Sequence, residues 1–268
     1  MIRLVCIDVD GTLIGASGTV HDAVWEAVTT VRDAGIRLAI CSGRPGFGIT
    51  RELALRIAPD AWHSFQNGAS VVSFAEGSLS EPLPADAVRM LVDRARRAVR
   101  ALELYTDEDY VVETDTDRAA RHAALLGVPF RPRPFVALDG TIVRGQWLVA
   151  REDADAVLAE SYPGLEVSPS LAPTMPDTQF VNLTREGVNK GRAVRAIAAR
   201  HEIDLADVMF VGDGFNDVSA LEIVGHPVAM RDAEPEALAA ATTIVADADS
   251  GGLADALHLA LEHSAGGT

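Results

Sequence analysis

Asp8 and Asp10 stand one residue apart at the end of the apolar run 4–7, and Gly11-Thr12 follows at once. Such a run reads as a buried strand. Strand alternation turns both carboxyls to one side, and two acids there are costly unless a cation or a partner neutralises them. Three further polar clusters sit at comparable places. Ser42-Gly43-Arg44 follows the apolar run 36–41, Lys190 opens a helical pattern, and Asp213 with Asn216-Asp217 follows the run 208–211. In a parallel sheet these strand ends share one edge, where open α/β sheets hold their ligands.

The residue types point to phosphoryl chemistry. Asp8, Asp10 and Asp213 are hard oxygen donors, which suit Mg²⁺, and no Cys/His cluster has zinc spacing. Ser42 and the Gly43 amide, ahead of a helix, suit phosphate oxygens, and Lys190 offers a point charge. Asp8 is placed to attack phosphorus, and Asp10 to protonate the leaving oxygen and later deprotonate water. Taken singly, Ser42 is also a good helix cap, Lys190 an ordinary surface lysine and Asn67-Gly68 a common turn pair. Their combination carries the functional reading.

The elements that must position these residues alternate. A helix over 20–34, a strand over 36–41, a helix over 46–58 and a strand over 62–65 follow the first strand, which predicts parallel pairing through crossovers. From 83 to 185 the texture changes to an α+β mixture, with helices near 85–101, 118–126 and 153–161 and strands near 102–105, 110–113, 146–150, 165–168 and 179–183. The crossover pattern resumes at Lys190, with strands at 208–211, 228–230 and 243–245 and a last helix over 252–263; residues 264–268 read as a frayed tail. The expected architecture is an α/β, Rossmann-like parallel-sheet core of residues 1–82 and 186–268. An α+β domain of residues 83–185 interrupts it.

Composition narrows the partners. The 268 residues carry a net charge of −16, which repels a phosphate backbone and argues against nucleic acid. Cys6 and Cys41 lie in apolar runs and read as buried free thiols. Without a basic-then-apolar leader or a membrane-length apolar run, the chain reads as cytoplasmic, with no membrane partner. The oligomeric state has no sequence signal.

Asp8-Val9-Asp10-Gly11-Thr12, Ser42, Lys190 and Gly212-Asp213-Gly214-Phe215-Asn216-Asp217 resemble the four motifs of the haloacid dehalogenase superfamily. Arg44, Asn67-Gly68-Ala69 and Gly187-Val188-Asn189-Lys190-Gly191 resemble its Cof-type subclass (IIB), in which an α+β cap is inserted between the second and third motifs. The resemblance implies that Asp8 forms an aspartyl-phosphate and ligates Mg²⁺. It implies that Asp10 is the general acid/base and ligates through its backbone carbonyl, and that Asp213 completes the metal site. Ser42, Gly43, Lys190 and Asn216 would bind the transferring phosphate. Thr12 and Asp217 would stand behind them, Asp217 orienting Lys190 or a metal-bound water. Arg44 and Asn67 would face the cap and touch the substrate, with Asn182 a further substrate-facing candidate. Asn182 stands where many members carry an acid, and Arg231, Asp232 and Leu238 also depart from the pattern.

The function this implies is Mg²⁺-dependent hydrolysis of a small phosphorylated metabolite, with a sugar phosphate as the leading substrate class. A phosphomutase of the same superfamily and a non-catalytic metabolite-binding protein are the alternatives. In the inserted domain Arg118, Arg121, His122, Arg131, Arg133 and Arg144 could bind an anionic substrate tail, but each taken singly reads better as a surface charge, and the tryptophans Trp25, Trp62 and Trp147 read as packing residues.

Overall fold

The computed structural model describes residues 1–172 and 174–265. In chain order the elements are β1 (Leu4–Ile7), α1 (Asp22–Asp33), β2 (Arg37–Ile40), α2 (Ile49–Ile57), β3 (Trp62–Phe65), β4 (Ser70–Ser73) and β5 (Gly77–Ser78). There follow α3 (Ala85–Ala98), β6 (Ala101–Tyr105), β7 (Tyr110–Val112), α4 (Asp117–Leu126), β8 (Arg144–Ala150), α5 (Ala154–Leu158), β9 (Leu165–Ser170) and β10 (Thr178–Arg185). The chain closes with α6 (Lys190–Arg200), β11 (Val208–Gly212), α7 (Val218–Leu221), β12 (His226–Met230), α8 (Pro235–Ala240), β13 (Thr243–Val245) and α9 (Gly252–Ala265). Of the tail read as frayed, Ser264 is helical, and its hydroxyl donates to the Ile2 and Ala260 carbonyls; residues 266–268 lie outside the described residues.

Two compact units result. One comprises Met1–Gly43, Leu53–Gly77 and Asn189–Thr268, the other Arg44–Glu52 and Ser78–Val188. The first holds a five-stranded sheet in the order β13-β12-β11-β1-β2, parallel throughout. Its central strands are apolar along their whole length because helices cover them, as parallel sheets require. In α1, Val24, Ala27, Val28 and Val31 recur at helical spacing and are buried, and the helix packs against α9. Cys6 and Cys41 are buried free thiols in this core.

The expected run of parallel pairings stops at β2. β3 meets it only at the isolated bridge between Cys41 and Ser64, and pairs antiparallel with β4 instead. The reason is local. His63, in β3, turns its ring toward β2, and its Nδ1 accepts the Ile40 N–H at 3.0 Å while Nε2 pairs with the Ala58 carbonyl at 2.9 Å. A side chain thus satisfies a buried backbone donor that a further ladder would otherwise take.

The second unit is built on an antiparallel sheet, β7-β6-β8-β10-β9. One face carries Leu102, Leu104, Trp147, Val149, Val181 and Leu183 into a core with Leu91 of α3 and Val157 of α5. The opposite face, reached by the alternate residues, carries Glu103, Tyr105, Arg144, Gln146 and Asn182, all buried. Arg144 is therefore buried and not the surface charge expected from the sequence. Its position in the seven-residue strand β8 forces it inward, where it lies 4.1 Å over the Tyr105 ring and donates to Asn182 Oδ1 at 3.4 Å. His122 is likewise buried, with its Nδ1 2.8 Å from Glu103 Oε2. Trp62 and Trp147 are buried, as packing residues must be.

Candidate active site

The parallel strands place their C-terminal ends on one edge. Asp8 directly follows β1, and its N–H donates to Val211 O at 2.9 Å, which aligns it with the end of β11. The chain then folds into a tight turn in which Leu13 and Ile14 both donate to Val9 O. Gly11 has φ +84°, and a Cβ there would lie 2.1 Å from Asp213 Oδ2, so only glycine leaves that carboxylate its room. Thr12 is buried and its hydroxyl donates to Asp213 Oδ1 at 3.1 Å.

Lys190 is fully buried at the start of α6, which Asn189 caps by accepting the Arg192 N–H. Its Nζ donates to Asp8 Oδ1 at 2.6 Å and to Asp217 Oδ1 at 2.5 Å. The other Asp217 oxygen accepts the N–H groups of Asp213 and Gly214 at 3.0 and 2.9 Å. Asp217 thus anchors Lys190 and holds the loop that carries Asp213. Burial alone would lower the Lys190 pKa, but the Asp217 and Asp8 charges outweigh it and hold the ammonium above its ordinary range. Burial, then the Asp217 charge, raises Asp8 and takes Asp213 to about 7.

A second group of residues meets nearby in the sequence motifs. Ser42 is buried; its N–H donates to Ser64 O at 2.9 Å and its carbonyl accepts the Asn67 N–H at 3.1 Å. Asn216 Nδ2 donates to Asn67 Oδ1 at 2.9 Å. A Cβ on Gly43 would lie 3.0 Å from that same Asn67 oxygen. The residues singled out in the core unit therefore form two hydrogen-bonded sets, Asp8/Thr12/Lys190/Asp213/Asp217 and Ser42/Asn67/Asn216, with Gly43 packed close against the second. Asp10 lies exposed on the turn after β1.

Residues 5–257 match the model of the haloacid dehalogenase-like hydrolases. The chain belongs to this family. Among curated relatives, 5-amino-6-(5-phospho-D-ribitylamino)uracil phosphatase YwtE of Bacillus subtilis (strain 168) is 25% identical over 279 residues, covering 94% of this chain and 96% of the relative. Pyridoxal phosphate phosphatase YbhA of Escherichia coli (strain K12) is 25% identical over 256 residues, covering 91% and 93%. A haloacid dehalogenase-like hydrolase from Bacteroides thetaiotaomicron shares the fold at TM-score 0.85, with 22% identity and 97% and 99% coverage. A subclass IIB sugar phosphatase does so at TM-score 0.81, with 22% identity and 96% and 98% coverage.

The site's donor chemistry fits a hard divalent cation. One oxygen each from Asp8, Asp213 and Asp217 lies within 4.8 Å of the others. The set is oxygen-only, and Lys190 brings one positive charge against three carboxylates. The Asp10 carboxylate is not part of this triad.

The remaining candidates, Arg44 and Asn182, belong to the second unit of this haloacid dehalogenase-like hydrolase. Asn182 is buried in β10, where its amide donates to Ser168 O at 3.1 Å and Ser170 Oγ at 2.9 Å. One participant in the core unit has no signal in the sequence. Glu234 accepts the Phe215 N–H at 2.7 Å and steadies the loop ahead of Asn216. A glutamate after an unrelated strand carries no motif signal. Gln66, in the polar segment that follows β3, is fully buried with φ +55° and precedes Asn67 at φ +57°.

Proposed function

We propose that this haloacid dehalogenase-like hydrolase is a Mg²⁺-dependent phosphatase of small phosphorylated metabolites, with sugar phosphates as the leading class. The observation that supports this best is the buried chain Asp8–Lys190–Asp217, with Asp213 held beside it by Thr12. In the reaction, an Asp8 oxygen attacks phosphorus and the bond to the leaving oxygen breaks. Asp10 gives that oxygen its proton. Water then attacks the phosphorus of the Asp8 phosphoanhydride, Asp10 takes the proton back, and inorganic phosphate leaves. Lys190 holds Asp8 in line and carries positive charge against the phosphoryl oxygens. Ser42, Gly43 and Asn216 bind those oxygens. Asp8 and Asp213, with the Asp10 carbonyl, would hold Mg²⁺. That ion neutralises phosphoryl charge when bound.

The substrate class leans on relatives. Two are named for hydrolysing a phosphoribityl compound and pyridoxal phosphate, and a structural neighbour is a sugar phosphatase. Purified protein with Mg²⁺ is expected to release inorganic phosphate from members of a panel of sugar phosphates, nucleotides, pyridoxal phosphate and flavin-precursor phosphates. Conversion of one sugar phosphate into another, dependent on a bisphosphate and without phosphate release, would instead identify a mutase. No turnover anywhere on the panel would count against catalysis.

A further inference from the structure

Gln66, Asn67 and Gly68 follow one another with φ of +55°, +57° and +97°. Two consecutive non-glycine residues in the left-handed region are strained, and such strain persists only where the surroundings over-determine it. Here three loops do so. The Asn67 N–H donates to Ser42 O at 3.1 Å. A Cβ on Gly68 would sit 2.3 Å from the carbonyl oxygen of Asn189, the residue before Lys190. The Asn67 side-chain oxygen accepts from Asn216 Nδ2 at 2.9 Å, close over Gly43. One strained turn therefore touches the loops that carry Ser42-Gly43, Lys190 and Asn216. It ties down the otherwise exposed Asn216 by a single hydrogen bond.

We infer that Asn67 is a positioning residue. Its left-handed backbone aims its Oδ1 at Asn216 and so fixes the Asn216 amide beside Gly43 for binding the phosphoryl group. Its place is behind the phosphate site rather than against the substrate's leaving group. The inference rests on the phosphatase reading of this site.

Two substitutions separate positioning from support of the turn. Asn67→Gly removes the side-chain oxygen and relieves the left-handed strain; Asn67→Ala removes the oxygen and keeps the strain. If Asn67 positions Asn216, both variants raise KM for p-nitrophenyl phosphate and the inhibition constant of inorganic phosphate together, by about tenfold. Asn67→Gly does so with a Tm within about 3 °C of wild type. In Asn67→Gly/Asn216→Ala the loss is no greater than in Asn216→Ala, because the two act through one contact. The inference is overturned if Asn67→Gly keeps both constants within twofold of wild type, or if the double variant shows the product of the single losses. If wild type turns over no substrate, the phosphatase reading fails, and calorimetric titration of inorganic phosphate into the same variants with Mg²⁺ decides the inference by the same ratios. Wild type that binds no phosphate overturns both.

Discussion

Lys190 and Asp8 meet at 2.6 Å although they lie 182 positions apart in the chain. The contact joins the first strand of the core unit to the first helix after the inserted segment. The ammonium is wholly buried and is shared with Asp217. Breaking a buried ion pair on one side leaves charge uncompensated, at a cost of about 3–5 kcal/mol. Lys190→Ala is therefore expected to lose phosphate release and also to unfold at clearly lower denaturant concentration, which a urea titration followed by circular dichroism measures. A wild-type unfolding midpoint in Lys190→Ala would show that the pair does not stabilise the core.

Mg²⁺ is expected to stabilise the folded protein as well as to activate it, because the cation relieves repulsion among Asp8, Asp213 and Asp217. At a concentration a hundredfold above its Kd the gain is about 2.7 kcal/mol, or about 5 °C in Tm. Differential scanning fluorimetry with and without EDTA reads it. Full phosphatase activity after exhaustive chelation would remove the metal from the account.

Gly11→Ala tests the room left for Asp213. The added Cβ would collide with Asp213 Oδ2 at 2.1 Å, from a backbone with φ +84°. The Mg²⁺ concentration for half-maximal activation is expected to rise at least about tenfold, roughly 1.4 kcal/mol of displaced ligand. An unchanged activation curve would contradict the placement.

His63 makes stability depend on pH. Burial lowers its pKa from 6.5 to about 4, and the neutral ring holds Ile40 and Ala58. Between pH 6.5 and 4 the unfolded chain therefore binds the proton that the folded chain refuses, so stability rises with pH across that window. The full contribution, about 3 kcal/mol, is present above pH 6.5 and gone below pH 4. Unfolding midpoints of wild type and His63→Gln, measured from pH 4 to 7, are expected to differ in slope, with the variant flatter. Parallel curves would contradict the assignment.

Much of the fold was legible because its signals are local. The apolar runs before Asp8, Ser42 and Asp213 are each short, but alternating with helical patterns and ending in polar clusters they read as buried strands, and their parallel order follows from the helices between them. The departure of β3 was not legible, since it depends on where the His63 ring points. The burial of Arg144 was hidden for a similar reason. Arginine is rarely buried, and the partners that make it tolerable, Tyr105 and Asn182, are distant in sequence. At the candidate site, residue types and order pointed to the participants, but not to which of them meet. That Asp217 reaches both Lys190 and the Asp213 amide, and that Asn67 answers to Asn216, are three-dimensional facts.

The central claim is that Asp8 is the nucleophile, and one substitution tests it. In Asp8→Asn the amide oxygen still accepts from Lys190, and one negative charge leaves a crowded anionic cluster, so the Tm should stay near wild type. With Mg²⁺ and a substrate that wild type hydrolyses, Asp8→Asn is expected to release no measurable inorganic phosphate. A folded Asp8→Asn protein that still releases phosphate would contradict the account.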